Sequence, residues 1–166
     1  MRILLSALFI TLLSFGVQAQ KFGYINSQQL LLESPDIKSA DAQLEALQKD
    51  LVGKGEAMVK DFEAKYQAYV TEANTGVLSQ VQMQQKEGVL AAAQQEIQKY
   101  EVQVQNQILE KREVLYKPIL DKIKNALDVY AKENGYTMVF DSSAGSILYA
   151  PPGDDLLQAM KTKLGF

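Results

Sequence analysis

The feature that most constrains this chain is a charged stretch of roughly a hundred residues, from about Pro35 to Gly135, whose apolar side chains recur at helical spacing. A single helix of that length cannot bury its own apolar stripe, so it must pair with a second helix or join other chains. One interruption divides it, at Glu72-Ala73-Asn74-Thr75-Gly76. The pattern therefore predicts two helices folded against each other around a tip.

The first arm carries Ile37, Ala40, Leu44, Leu47 and Leu51, then Met58, Phe62, Tyr66 and Tyr69, in steps of three and four. Acid-before-lysine pairs four residues apart (Glu45 with Lys49, Asp50 with Lys54, Glu56 with Lys60, Asp61 with Lys65) fit a solvated helix face. The return arm starts near Ser79. Its stripe runs through Val89, Ala93, Ile97, Tyr100, Val104 and Ile108, then Leu115, Ile119, Ala126 and Tyr130, with Lys111 and Lys122 filling the remaining positions through their long stems. Steps of four, four and three make an eleven-residue repeat, which predicts nearly straight or weakly right-handed pairing. About 40 paired residues give an arm about 60 Å long.

Short β-type segments flank the helical region. Phe22-Gly23-Tyr24-Ile25 precedes it, and Ser27 is placed to cap a short helix through Leu30-Leu31-Leu32 before Pro35. After Gly135, Tyr136-Thr137-Met138-Val139-Phe140 and Ser146-Ile147-Leu148-Tyr149-Ala150 read as a β-hairpin turned at Ser142-Ser143-Ala144-Gly145. Asp154-Asp155 opens a last helix, with Lys161 and Lys163 near its end. Three strands and a short helix are too little to bury a stable core, which predicts completion by identical chains.

Residues 1–19 read as a secretory signal peptide: Met1-Arg2, an apolar run from Ile3 to Val17, and small residues at Val17-Gln18-Ala19. The alternative is an uncleaved membrane anchor. No Cys follows Ala19, so a lipoprotein attachment site is not expected. Arg2 is the only one of the 17 basic side chains in that segment; without it 16 remain against 20 acidic ones, net −4. That balance argues against nucleic acid as a partner. The chain has no Cys and no His. Disulfides, the usual zinc sites and Ser-His or Cys-His nucleophile pairs are therefore absent. Asp141, Asp154 and Asp155 are the nearest approach to an acidic cluster, and Asp154-Asp155 reads as a helix start. Neither an enzymatic activity, nor a cofactor, nor a metal is expected.

Several landmarks carry a family resemblance: Lys21-Phe22-Gly23-Tyr24-Ile25-Asn26, Leu30-Leu31-Leu32-Glu33-Ser34-Pro35, Asn134-Gly135-Tyr136-Thr137-Met138-Val139-Phe140-Asp141, and the closing Ile147-Leu148-Tyr149 and Asp154-Asp155-Leu156. In this order around a long helical hairpin they resemble the OmpH-like (Skp) family of periplasmic outer-membrane chaperones. The resemblance covers the chain after residue 19. It implies an α+β fold, a coiled-coil-like tentacle on a small β-rich body, and a homotrimer whose three tentacles enclose a cavity. It also implies an ATP-independent holdase that keeps unfolded outer-membrane β-barrel proteins from aggregating. The alternative is a coiled-coil spacer or adaptor of the cell envelope.

The corresponding layout is 20–35 and 135–166 for the body and 36–134 for the tentacle, with its tip near 72–78. Client-binding candidates are Phe62, Tyr66, Tyr69, Leu78, Met83 and Val89, unless these side chains instead hold the two arms together. Candidates for the trimer body are Phe22, Tyr24, Val139, Phe140, Ile147 and Tyr149. Pro35 and Pro118 lie at similar distances from the tip and are hinge candidates. Family members are often basic, with tentacle tips linked to lipopolysaccharide. Here Lys86 is the one base from Tyr66 to Gln98, among Gln80, Gln82, Gln84, Gln85, Gln94, Gln95 and Gln98, which argues against such a site.

Overall fold

The computed structural model describes residues 20–166. The signal-peptide assignment for residues 1–19 lies outside the described residues. Strand β1 (Lys21–Ile25) is followed by the short helix α1 (Ser27–Glu33) and the long helices α2 (Pro35–Asn74) and α3 (Gln80–Glu133). Strand β2 (Tyr136–Asp141), a 3-10 turn at Pro152–Asp154 and helix α4 (Leu157–Leu164) complete the chain. None of the helices among the described residues is long and apolar enough to cross a membrane. The chain divides into two compact units, Leu31–Ile123 and the described part of Met1–Leu30 together with Lys124–Phe166.

The helical unit is an antiparallel pair formed by α2 and the first part of α3. At 40 residues α2 is about 60 Å long. Its buried residues, Ile37, Ala40, Leu44 and Leu51, are the first members of the anticipated stripe. On α3 the half-buried positions Ala93, Ile97, Tyr100, Val104, Ile108, Lys111, Leu115, Ile119, Ala126 and Tyr130 keep the eleven-residue repeat. Two positions differ from expectation: Leu90 takes the inward place of Val89, and Ile123 that of Lys122. Lys122 reaches out instead to Asp36, at 2.7 Å. Tyr100 fixes the middle of the pair. Its hydroxyl donates to the Leu51 carbonyl at 2.9 Å, and its ring lies over Gly55, where an added Cβ would stand 3.5 Å away. Asp50–Lys54 and Asp61–Lys65 close as expected, at 2.7 and 2.5 Å.

The turn between the helices is local chemistry. Helix α2 runs through Glu72-Ala73-Asn74, the first three residues of the expected interruption, and is capped at Thr75. Gly76 then takes φ +68°, a left-handed conformation that favours glycine. Ser79 and Gln82 form a capping box on α3: the Ser79 N–H donates to Gln82 Oε1 at 2.9 Å and the Gln82 N–H to Ser79 Oγ at 3.3 Å. Pro35 sits at the start of α2, where its missing N–H breaks no helical bond, so it opens a helix and does not bend one. Pro118 lies inside α3.

The second unit corrects the expected three-stranded body. Its described residues hold a two-stranded sheet in which β1 and β2 run parallel, with Gly23 opposite Val139 and Tyr24 opposite Phe140. Ser146–Ala150 forms no strand, so the predicted hairpin is absent. The cause is the turn after β2. The Asp141 carboxylate accepts the Ser143 N–H at 2.9 Å, and the Ser142 N–H donates to the Ile25 carbonyl at 2.9 Å. The chain is thereby led across the sheet and not back along the edge of β2. The N-cap of α1 is also corrected. Asn26 Oδ1 accepts the Gln29 N–H at 2.9 Å, while Ser27 is the first helical residue.

Among the described residues of this unit, Ile25, Leu30, Leu156 and Met160 are the buried apolar side chains. Gly23 is the tight point. A Cβ there would stand 2.9 Å from the Tyr136 ring and 3.0 Å from a Leu156 methyl. Gly23→Ala is expected to destabilise the unit by about 1–3 kcal/mol through overpacking, read as an earlier midpoint in urea unfolding.

Candidate functional site

Two surfaces collect the candidate residues, one in each unit. In the helical unit, Phe62, Tyr69, Leu78 and Met83 are half-buried, whereas Tyr66 and Val89 are 47% and 55% exposed. Phe62 and Tyr66 stack with centroids 6.3 Å apart, so the aromatic surface runs from the interior of the pair outward. The Tyr69 hydroxyl donates to Glu87 at 2.6 Å, and this bond raises the phenol's pKa above its ordinary value. Tyr69 and Val89 also line a small cleft of about 190 Å³ with Leu90 and the two lysines Lys65 and Lys86. Tyr69 thus serves the pairing of α2 with α3, while Tyr66 is presented to solvent.

Sequence reasoning missed the neighbours of Tyr66. Val52 and Val59 are 47% and 40% exposed and precede Tyr66 at intervals of seven, on one flank of α2. The signal was legible: Leu51-Val52 and Met58-Val59 are adjacent apolar pairs, and the second member of each widens the stripe beyond what one partner helix covers. Two polar contacts beyond this flank tie α2 to α3. Lys86 pairs with Glu72 at 2.8 Å, and the Tyr116 hydroxyl donates to Asp41, which raises the Tyr116 pKa.

In the sheet unit the two faces differ sharply. Gly23 and Ile25 are buried on one face. By strand alternation the other face carries Phe22, Tyr24, Met138 and Phe140. Phe22, Met138 and Phe140 are 41%, 53% and 44% exposed, and the rings of Phe22 and Phe140 lie 6.1 Å apart. The segment after the turn adds Ile147, Leu148 and Tyr149, with Leu148 at 98% and Tyr149 at 85% exposure. Phe22, Tyr24, Phe140, Ile147, Leu148 and Tyr149 line an open apolar groove of about 590 Å³. Five of the six body candidates therefore meet at one place. Val139 does not, because it projects from the opposite face beside Gly23.

Asp141 holds the groove's framework in place. Besides the Ser143 N–H, it accepts the Ser27 hydroxyl at 2.5 Å and the Ser27 N–H at 3.2 Å. The Ser27 hydroxyl first, then the Ser143 N–H, lower its pKa from 3.8 to about 2. A carboxyl whose folded pKa is lowered contributes stability above its unfolded pKa and loses it as pH falls toward the folded value. Asp141→Ala is expected to lower stability at neutral pH by about 1–2 kcal/mol. The gap from the parent should close between pH 3.8 and about 2, as followed by circular dichroism. A gap that stays constant across that range would contradict this role. Asp154 sits in the 3-10 turn, and Asp155 accepts the Leu157 N–H at 2.9 Å in a local turn leading into α4. Among the described residues, no group of three or more acids could hold a metal ion.

A long antiparallel helix pair, with a small parallel sheet joining the two ends of the chain, places this protein among helical-hairpin proteins of mixed α+β class. The sequence matches the family of outer membrane proteins (OmpH-like) over residues 21–164, and the chain belongs to that family. The fold resembles the crystal structure of a candidate outer membrane chaperone (OmpH-like) from Caulobacter crescentus CB15, with a TM-score of 0.77 at 15% identity, over 90% of this chain and 86% of that one. No curated protein sequence matches the chain.

Proposed function

We propose that this protein is an ATP-independent periplasmic holdase that binds unfolded outer-membrane β-barrel proteins and keeps them from aggregating. Membership of the OmpH-like family supports the chaperone class, and no catalytic step is required by it. The observation that carries the reading is the exposed flank of Val52, Val59 and Tyr66 beside an already satisfied helix pair. An unfolded barrel strand exposes apolar side chains at alternate positions, and a shallow row of aliphatic and aromatic groups binds such segments weakly and without sequence preference.

The working unit in this proposal is a homotrimer, with the arms around a shared cavity. Parallel sheets are ordinarily covered on both faces. The aromatic face of β1 and β2 has an open groove in the single chain, and two further copies would cover it. A lipopolysaccharide site is not part of the proposal, because Lys86 is spent on Glu72. Diluting a urea-unfolded outer-membrane barrel into buffer, with and without the protein, tests the function by light scattering. Suppressed scattering without added nucleotide is expected; scattering unchanged at molar excess would point to an envelope spacer instead.

The hinge proposal narrows to Pro118. The contacts Asp36–Lys122 and Asp41–Tyr116 set it between those levels, about one turn from Pro35 along the pair. An interior proline removes one helical hydrogen bond and favours bending there. Pro118→Ala is expected to narrow the distribution of spin-label distances measured along α3 across that point. An unaltered distribution would remove the hinge.

A further inference from the structure

The joint between α3 and β2 carries the one Asn-Gly pair in the chain, Asn134-Gly135. Such a pair is reactive by itself. The glycine nitrogen loses its proton and attacks the asparagine Cγ, a five-membered succinimide closes, and the side-chain nitrogen leaves as ammonia. Water then opens the ring. Hydrolysis at Cγ gives aspartate. Hydrolysis at the main-chain carbonyl gives isoaspartate, in which the chain runs on through the former side chain.

The other four asparagines are worse placed for this reaction. Asn106 and Asn125 lie inside α3, where the next N–H is tied into the helical ladder. Asn74 is followed by the β-branched Thr75. Asn26 is committed on both sides: its Oδ1 accepts the Gln29 N–H at 2.9 Å, and the Ser27 N–H donates to Asp141 at 3.2 Å. At Asn134 the restraints are slight. Both Asn134 and Gly135 are exposed. Gly135, at φ +71°, has no Cβ to shield its nitrogen, and its N–H reaches the Lys132 carbonyl at a long 3.3 Å. Asn134 Nδ2 donates to the Tyr130 carbonyl at 2.8 Å, in the last turn of α3, where helices fray.

Lys21 acts on this joint directly. Its ammonium donates to the Asn134 carbonyl at 3.1 Å and lies 4.1 Å from the centre of the Tyr136 ring, which holds it there. That carbonyl belongs to the peptide whose N–H is that of Gly135. A cation on the oxygen draws charge from the peptide, so the nitrogen gives up its proton more readily. In the succinimide the same oxygen is one of the two imide oxygens, and the cation makes its carbon the preferred target of water.

We propose that Asn134-Gly135 is a site of spontaneous deamidation, promoted by Lys21 and directed by it to isoaspartate. The product adds one backbone methylene between α3 and β2 and places a carboxylate at the negative end of the helix dipole. The stacking of Tyr136 on Tyr130 and the pairing of Lys21 with Tyr136 begin just beyond, so the altered chain holds its sheet less firmly. None of this depends on the holdase reading.

The test ages the full-length protein in mildly alkaline buffer and maps the products by peptide mass spectrometry, with isoaspartate scored by a methyltransferase specific for it. Asn134 is expected to convert faster than any other asparagine, with isoaspartate the main product. Lys21→Met should slow that conversion about tenfold, about 1.4 kcal/mol of barrier, and raise the share of aspartate. A merely structural Lys21 would act oppositely on the rate, because a looser joint reacts faster, and would leave the product ratio alone. Asn134→Ser, which cannot deamidate, should keep its urea midpoint through the same ageing while that of the parent falls. Faster conversion at another asparagine overturns the proposal, as does a rate or product ratio indifferent to Lys21→Met. An unchanged midpoint in the fully converted parent overturns the structural consequence.

Discussion

Leu148→Asp combined with Tyr149→Asp is expected to convert the proposed trimer into folded single chains. Both side chains are almost fully exposed in the isolated chain, so their replacement removes no internal packing. They sit in the apolar groove with Phe22 and Phe140, where a partner chain would have to desolvate two carboxylates without compensation. Burying an unpaired charge is penalised by several kcal/mol per group, and the variant would carry two such groups in each copy. Sedimentation should report one-third of the parent mass, with an unchanged far-ultraviolet spectrum. A variant that keeps the parent mass would show that this face is not the assembly surface.

The second large effect concerns the arm. Replacing Val52, Val59 and Tyr66 together by serine is expected to abolish most protection of an unfolded barrel while leaving the helix pair intact. None of the three is buried, and among the described residues none makes a polar contact with α3. Each loses only a part of its apolar area to a client, so single replacements should act weakly and the triple change strongly. As a contrast, Phe62→Ser should reduce thermal stability first, because Phe62 is half-buried within the pair. Equal protection by the parent and the triple variant would move the client surface elsewhere.

The arm was legible in the sequence to a degree that the body was not. Helical pairing depends on a local repeat, and the eleven-residue spacing placed Ile97, Ile108, Ile119 and Tyr130 correctly at their half-buried positions. It failed by one residue at Val89 and Lys122, where two neighbouring side chains compete for one inward position. The body is set by pairing between distant segments. Tyr136–Asp141 was a recognisable strand, but a β-type composition at Ser146–Ala150 could not reveal that β2 already takes β1 as its parallel neighbour. Nor could it show that Asp141 would turn the chain across the sheet. The candidate site divides the same way: Tyr66 and the Val52–Val59 flank follow from periodicity, whereas the aromatic groove requires the fold.

The parallel pairing of β1 with β2 also predicts an order of events. Lys21 reaches the carbonyl of Asn134, 113 residues away along the chain. Strand β1 is made first, yet it has no sheet partner until the rest of the chain exists. Loop closure over that distance is slow unless something shortens it. The capped turn at Gly76 and Ser79 needs only nearby residues, so α2 and α3 are expected to pair from the tip and to bring the distant segments together as they do so. Each copy is thus expected to complete its arm before its sheet. A truncation that removes β2 should leave α2 and α3 helical while the first strand stays unpaired.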